Sequence, residues 1–116
     1  MSSFQEIWLE KVAKPAQAQD VTNSSKPVLV VSYGATDEAS KMLIQRLDKV
    51  LSASNGLDRL QIKAFNSMSD SNAIGQLKAP KMGLSLYRNG KLIDSLSTND
   101  EQSIRKFIDS NKKNII

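Results

Sequence analysis

The chain contains no cysteine and no histidine. The first absence removes disulfides, thiol redox chemistry and thiolate metal sites together. The second removes the usual general base and the commonest metal ligand. No apolar run approaches the ~18–20 residues that a membrane span needs. The glycines Gly34, Gly56, Gly75, Gly83 and Gly90 stand apart from one another, so no glycine-rich phosphate loop exists. The acids show no calcium-loop spacing, and nothing repeats along the chain. The opening MSSFQEIWLEK lacks the charged, then apolar, then small order of a secretory signal. Glu6, Glu10 and Asp20 also sit where a mitochondrial presequence avoids acids. The expected setting is cytoplasm or nucleus, with no metal, no cofactor and no membrane span.

What is present is enough for one domain. The 116 residues are 40% apolar and 24% charged, a balance that suits a single globular core. The net charge of +4 comes from sixteen bases spread among twelve acids. Only Arg105, Lys106, Lys112 and Lys113 cluster. A nucleic-acid footprint usually needs a denser patch and aromatic platforms, so nucleic acid is not the expected partner.

The most informative stretch is Ala79 to Ser97. Two apolar-rich runs, Met82 to Tyr87 and Leu92 to Leu96, flank Arg88-Asn89-Gly90-Lys91. Asn-Gly between such runs predicts a hairpin, because a tight primed turn needs positive φ at its centre. Upstream, Val28 to Tyr33 is apolar, β-branched and nearly continuous, as in a strand buried on both faces. A helical stripe follows through Ala39, Met42-Leu43, Leu47 and Val50-Leu51, opened at Thr36 or Asp37 and closed at Asn55-Gly56. Leu60, Ile62, Ala64 and Phe65 form the next strand, which a helical crossover should place parallel to the first. A short helix through Ala73, Ile74 and Leu77, capped by Ser69 or Ser71, precedes Pro80. Ser97-Thr98-Asn99 then caps a last helix with Ile104, Phe107 and Ile108 inward.

The N-terminal Phe4, Ile7, Trp8 and Val12 recur at helical spacing and predict an amphipathic helix over 1–15. Its tryptophan either packs on the domain or, with Phe4 and Ile7, docks into a partner's groove. Residues 16–26, small and polar, read as a linker with Val21 as a brief edge contact. The domain proper runs from 27 to 112, and 113–116 is a tail.

The order from Pro27 onward is βαβαββα, and the residues themselves are familiar. KPVLVVSYGAT, followed by a helix with Lys41-Met42 in its first turns, resembles the central strand and active-site helix of the thioredoxin family. LSLYRNGKLIDSLSTNDEQSIRKFI is similar to that family's C-terminal hairpin and helix. The likeness covers residues 26 to 112. It implies an α/β thioredoxin-like sheet with helices on both faces, preceded by the N-terminal helix. It also implies a chemistry that this chain has lost. Thr36-Asp37-Glu38-Ala39-Ser40-Lys41 stands where the family has its paired thiols. Ser40 falls at the second sulfur, and an isolated hydroxyl without a base is not a nucleophile. Ser32 replaces the family's buried acid. Met82 replaces its cis-proline, so a trans peptide is expected there.

The implied function is a redox-inactive, non-catalytic interaction module, binding another protein or a second copy of itself. The expected contact rim is Tyr33, Gly34, Thr36, Asp37, Glu38, Lys81, Met82, Gly83 and Thr98. Two alternatives stay open. One is a basic-surface binder of nucleic acid or acidic protein through the C-terminal helix. The other is an enzyme with non-thiol chemistry, for which Ser32, Tyr33, Asp37 and Ser40 are the available cluster. Asp37, Glu38 and Asp70 read as helix-end acids rather than a carboxylate site. Met42 is expected in the core, with Met68 and Met82 partly exposed.

Overall fold

Strand β1 (Val28–Tyr33) is the one on which the other elements are built. The computed structural model describes residue 8 and residues 17–34, 38–54 and 60–115. Alternate side chains of β1 point to opposite faces, and both faces are covered. Leu29 and Val31 enter the larger core; Val28 and Val30 enter a second, smaller one. Near-continuous burial follows from this double coverage, and β-branched residues suit it.

β1 pairs in parallel with β2 (Gln61–Asn66), Leu29 opposite Ile62. Helix α2 (Glu38–Ala53) makes the crossover between them. On its other side β1 pairs antiparallel with β3 (Gly83–Arg88), which pairs antiparallel with β4 (Lys91–Leu96). The sheet order is β2-β1-β3-β4. Asn89 and Gly90 carry φ of 54° and 77°, as the Asn-Gly turn requires. β4 lies at the sheet edge and is largely exposed, Leu92 and Ile93 included. A bulge opposite Leu86/Tyr87 breaks its register there, a device that blunts edge pairing.

The larger core holds Trp8, the inner stripe of α2 and the inward face of α4 (Glu101–Ser110). In α2 the buried stripe is Leu43, Ile44, Leu47 and Val50. Met42, expected in the core, is instead 37% exposed. It precedes Leu43 by one residue, which turns it about 100° around the axis, and Ile44 on the other side takes the inner position. The second core packs α1 (Ala18–Thr22) and α3 (Ser71–Leu77) over Val28, Val30, Phe65 and Tyr87.

Three expectations change. Residues 16–26 are not wholly linker: α1 occupies 18–22, with the Gln17 N–H donating to Asp20 Oδ2 at 2.8 Å across its first turn. Val21 is buried in a helix rather than lying along an edge strand. The N-caps of α3 and α4 are Asp70 and Asp100, not Ser69 or Ser71 and not the Ser97-Thr98-Asn99 run. Beyond 112 the chain does not simply tail off, because α5 (Lys112–Ile115) buries Ile115 in the larger core. The expected helix boundaries at Thr36, Asp37, Asn55 and Gly56 lie outside the described residues. So do Phe4, Ile7 and Val12.

Candidate functional site

The register brings the expected rim together at one end of the sheet. Ser32 is opposite Gly83, Tyr33 is opposite Asn66, and Leu84 is opposite Leu96. Tyr33, Gly34, Met82 and Gly83 therefore share that end, with Thr98 two residues past the end of β4. Glu38, exposed, starts α2 at the same end. The Gly34 N–H donates to Ser40 Oγ at 2.8 Å, fastening the first turn of α2 to the strand it follows. Thr36 and Asp37 lie outside the described residues.

Each part of this rim is held by short-range polar contacts. Ser67 hooks the β2–α3 turn onto β1, its N–H and hydroxyl both donating to the Tyr33 carbonyl, at 2.8 and 3.2 Å. Asn66 Oδ1 accepts the N–H groups of Met68 and Ser69, and Asp70 Oδ2 accepts the Asn66 N–H. Asp70 is thus occupied in closing a turn. On the other flank, Arg46 Nη1 donates to the Asn99 carbonyl at 2.9 Å, and Asn99 Nδ2 donates to the Ala39 carbonyl at 3.1 Å. The loop bearing Thr98 is moored to α2 by this pair of bonds. Thr98 Oγ1 accepts the Asp100 N–H.

Gly83 has φ of +147°, and a Cβ on it would run into the Leu96 carbonyl. The β3 backbone therefore approaches β4 more closely than any side chain would permit. Met82 is half-buried and packs against the larger core, while Lys81 is exposed. No cis peptide bond occurs among the described residues, so Lys81-Met82-Gly83 runs trans, as the sequence leads one to expect.

The chemistry on offer here is limited. Ser40 is fully buried and accepts a backbone N–H, which makes it a structural group. Ser32 is also fully buried, and its hydroxyl has no partner among the described residues. The Tyr33 phenol is pushed above its ordinary range, first by burial and then by the Asp70 carboxylate nearby. A phenol is protonated at neutral pH already, and this shift takes it further from a general base. Among the described residues no group of three acids could hold a metal ion.

One exposed rim residue stands out beyond expectation: Met68 is 80% exposed at the tip of the β2–α3 turn. The pattern placed it in a loop near this edge, but its degree of exposure depends on the Asn66 turn beneath it. Of the N-terminal docking residues, only Trp8 is described, and it is turned inward. It is 3% exposed, and its Nε1–H donates to Asp48 Oδ1 at 3.0 Å. Packing on its own domain corrects the alternative in which Trp8 serves a partner's groove.

The C-terminal basic cluster is interleaved with acids. Glu101 pairs with Lys49 at 3.4 Å and Arg105 at 3.5 Å, and Asp109 with Lys112 at 3.6 Å. This surface is of mixed sign. Among the described residues no helix is long and apolar enough to cross a membrane.

No protein-family model matches the chain, and no curated protein matches it. Solved structures do. A thioredoxin from Malassezia sympodialis superposes with a TM-score of 0.68 at 17% identity, covering 97% of this chain and 90% of that one. The protein Trxlp from Edwardsiella tarda gives 0.69 at 23% identity, over 84% and 97%. The oxidised thioredoxin of Plasmodium falciparum gives 0.71 at 10% identity, over 87% and 97%. At such identities the likeness is one of fold. The chain has a thioredoxin-like fold and no cysteine with which to perform a thiol–disulfide exchange.

Proposed function

We propose that this cysteine-free thioredoxin-like domain is a non-catalytic protein-interaction module, an adaptor or complex subunit of the cytoplasm or nucleus. The observation that carries the reading is the state of Ser40. At the position that the family resemblance gives to a reactive sulfur stands a buried hydroxyl, spent on the Gly34 N–H. Around it the rim is nonetheless built with care, through Ser67, Asn66, Arg46 and Asn99. A surface kept rigid without chemistry suits recognition, since preorganisation lowers the ordering cost of binding. Tyr33, Met68, Lys81 and Met82 offer the mixture of aromatic, soft apolar and basic contacts that partner surfaces use. The occupant is another protein or a second copy of the chain.

The test is light scattering on the eluting protein, followed by affinity capture from native extract with rim variants. Met68→Glu and Lys81→Glu change exposed side chains and leave the core intact. A stoichiometric complex, or a homodimer, that both variants abolish supports the reading. A monomer that captures nothing overturns it. So does a complex that both variants retain.

A further inference from the structure

With no thiol in the chain, its sulfur chemistry rests with four methionines, Met1, Met42, Met68 and Met82. Met1 lies outside the described residues. Met82 is half-buried and packs on the larger core, and Met42 is 37% exposed on α2. Met68 is 80% exposed and belongs to neither core. Susceptibility to oxidation follows exposure, so among the described residues Met68 is the sulfur that a peroxide meets first.

The turn that carries this side chain does not depend on it. Asn66 Oδ1 accepts the Met68 N–H at 2.8 Å and the Ser69 N–H at 3.3 Å. The Asp70 N–H donates to the Asn66 carbonyl at 2.7 Å, and Asp70 Oδ2 accepts the Asn66 N–H at 3.0 Å. Ser67 ties the turn to the Tyr33 carbonyl through two further bonds. All of these contacts use backbone groups or a neighbour's polar side chain, and none uses the thioether. The Met68 backbone is therefore fixed while its sulfur stands in solvent. An oxygen added to that sulfur leaves the turn, both cores and the sheet as they were. At Met82 the same oxygen would enter a core contact.

Oxidation turns a flexible apolar side chain into a polar, chiral one, and a reductase can reverse it. Both reagents need access to the sulfur, and the turn tip gives it to both. We propose that Met68 is a reversible oxidation site that switches the rim between partner-binding and released states. Hydrogen peroxide transfers one oxygen atom to the thioether sulfur, giving the sulfoxide, and leaves as water. The sulfur is oxidised by two electrons, which go to the peroxide O–O bond as it breaks. A thiol-dependent reductase returns the thioether, two thiols becoming a disulfide and the oxygen leaving as water. A sulfoxide oxygen carried into an apolar contact sheds its water without a matching donor, which weakens that contact. The switch rests on the interaction reading of the rim, whereas the order of oxidation does not.

The test treats the full chain with graded hydrogen peroxide, maps the added oxygen by peptide mass spectrometry, and repeats light scattering and capture from native extract. The expected result is Met68 sulfoxide at doses that leave Met42 and Met82 unoxidised, with melting temperature unchanged. At those doses the Kd of the recovered complex, or of the homodimer, should rise roughly tenfold, as burying one unmatched polar group would. Methionine sulfoxide reductase with dithiothreitol should restore it. Met68→Leu takes up no oxygen at this position, so whatever its own affinity, peroxide at the same dose should no longer change it. Oxidation of Met42 or Met82 ahead of Met68, or a melting temperature that falls with the Met68 sulfoxide, overturns the site. A complex that forms and is unmoved by Met68 oxidation overturns the switch and leaves the interaction reading standing. A chain that binds nothing in either state overturns the interaction reading and the switch together.

Discussion

Trp8 Nε1 and Asp48 Oδ1 lie 3.0 Å apart, and this bond joins the N-terminal segment to the middle of α2, 40 residues on. Trp8 also belongs to the larger core, which includes Leu43, Leu47 and the inner face of α4. The single indole of the chain is thus buried in that core, at 3% exposure. The polar end of the ring finds a carboxylate at the border of that core, which is how a buried tryptophan satisfies its only donor.

Removing the ring should cost far more than removing the bond. Trp8→Ala is expected to lower unfolding free energy by about 3–5 kcal/mol, the range for large aromatic truncations. Asp48→Ala should cost about 1 kcal/mol, the worth of one ordinary hydrogen bond with its acceptor removed. Urea denaturation followed by far-ultraviolet dichroism reads both. Equal losses would mean that the bond, and not the packing, holds the segment.

The sheet was legible because its signals are local. Asn89-Gly90 requires the turn, and Val28 to Val31 can be buried on both faces only in a covered central strand. The parallel pairing of β1 and β2 followed from one helical crossover between them. Helix α1 was not legible, since its five residues carry one buried apolar anchor, Val21, and its existence depends on the α3 surface it packs against. Met42 was misplaced because a stripe read by spacing alone does not say which neighbour of Leu43 turns inward. The rim assembled as the strand order required. Its fastening by Ser67, Asn66 and Asn99 was not readable, because side-chain to backbone bonds across loops leave no periodic trace. Trp8 has two readings in the sequence, and its burial in the larger core together with the bond to Asp48 separates them.

Asp100 caps α4, its Oδ2 accepting both the N–H and the hydroxyl of Ser103 at 3.0 Å. The Ser103 backbone bond leads in holding its carboxyl below the ordinary range, with the hydroxyl bond next. A depressed carboxyl stabilises the fold above the unfolded value of about 3.9 and loses that contribution as pH falls through its lower folded value. Carbon-detected titration should show Asp100 more than half ionised at the pH where free aspartate is half-protonated. Asp100→Asn keeps a capping acceptor and should flatten stability over that acid window. An Asp100 that titrates with the ordinary value would contradict the cap.

The two tyrosines make the opposite prediction at high pH. Burial comes first in raising both phenols, with Asp70 adding to Tyr33. A raised phenol contributes stability that is complete below the unfolded value of about 10 and is lost as pH rises through the folded one. Ultraviolet titration of the folded protein should therefore show less than half of the phenolate at the pH where free tyrosine is half-ionised. Asp70→Asn should bring Tyr33 back toward its ordinary range and leave Tyr87 where it was. A shift in both would mean that the substitution had loosened the fold instead.

Gly83 and Gly75 should answer the same substitution with opposite signs. Gly75 lies inside α3 with open space around its missing Cβ, so Gly75→Ala relieves the entropy of a helical glycine. A gain of about 0.5–1 kcal/mol is expected. At Gly83 the added methyl would meet the Leu96 backbone, and φ of +147° is one that side-chain-bearing residues rarely adopt. Backbone cannot swing aside as a flexible side chain can. Gly83→Ala must therefore separate β3 from β4 at the rim, at a loss of more than about 2 kcal/mol. Unfolding free energies of the two variants check the pair. A Gly83→Ala protein as stable as the parent would mean that β3 and β4 do not approach so closely at the rim. In that case the surface carrying Met82 and Thr98 would have to be redrawn.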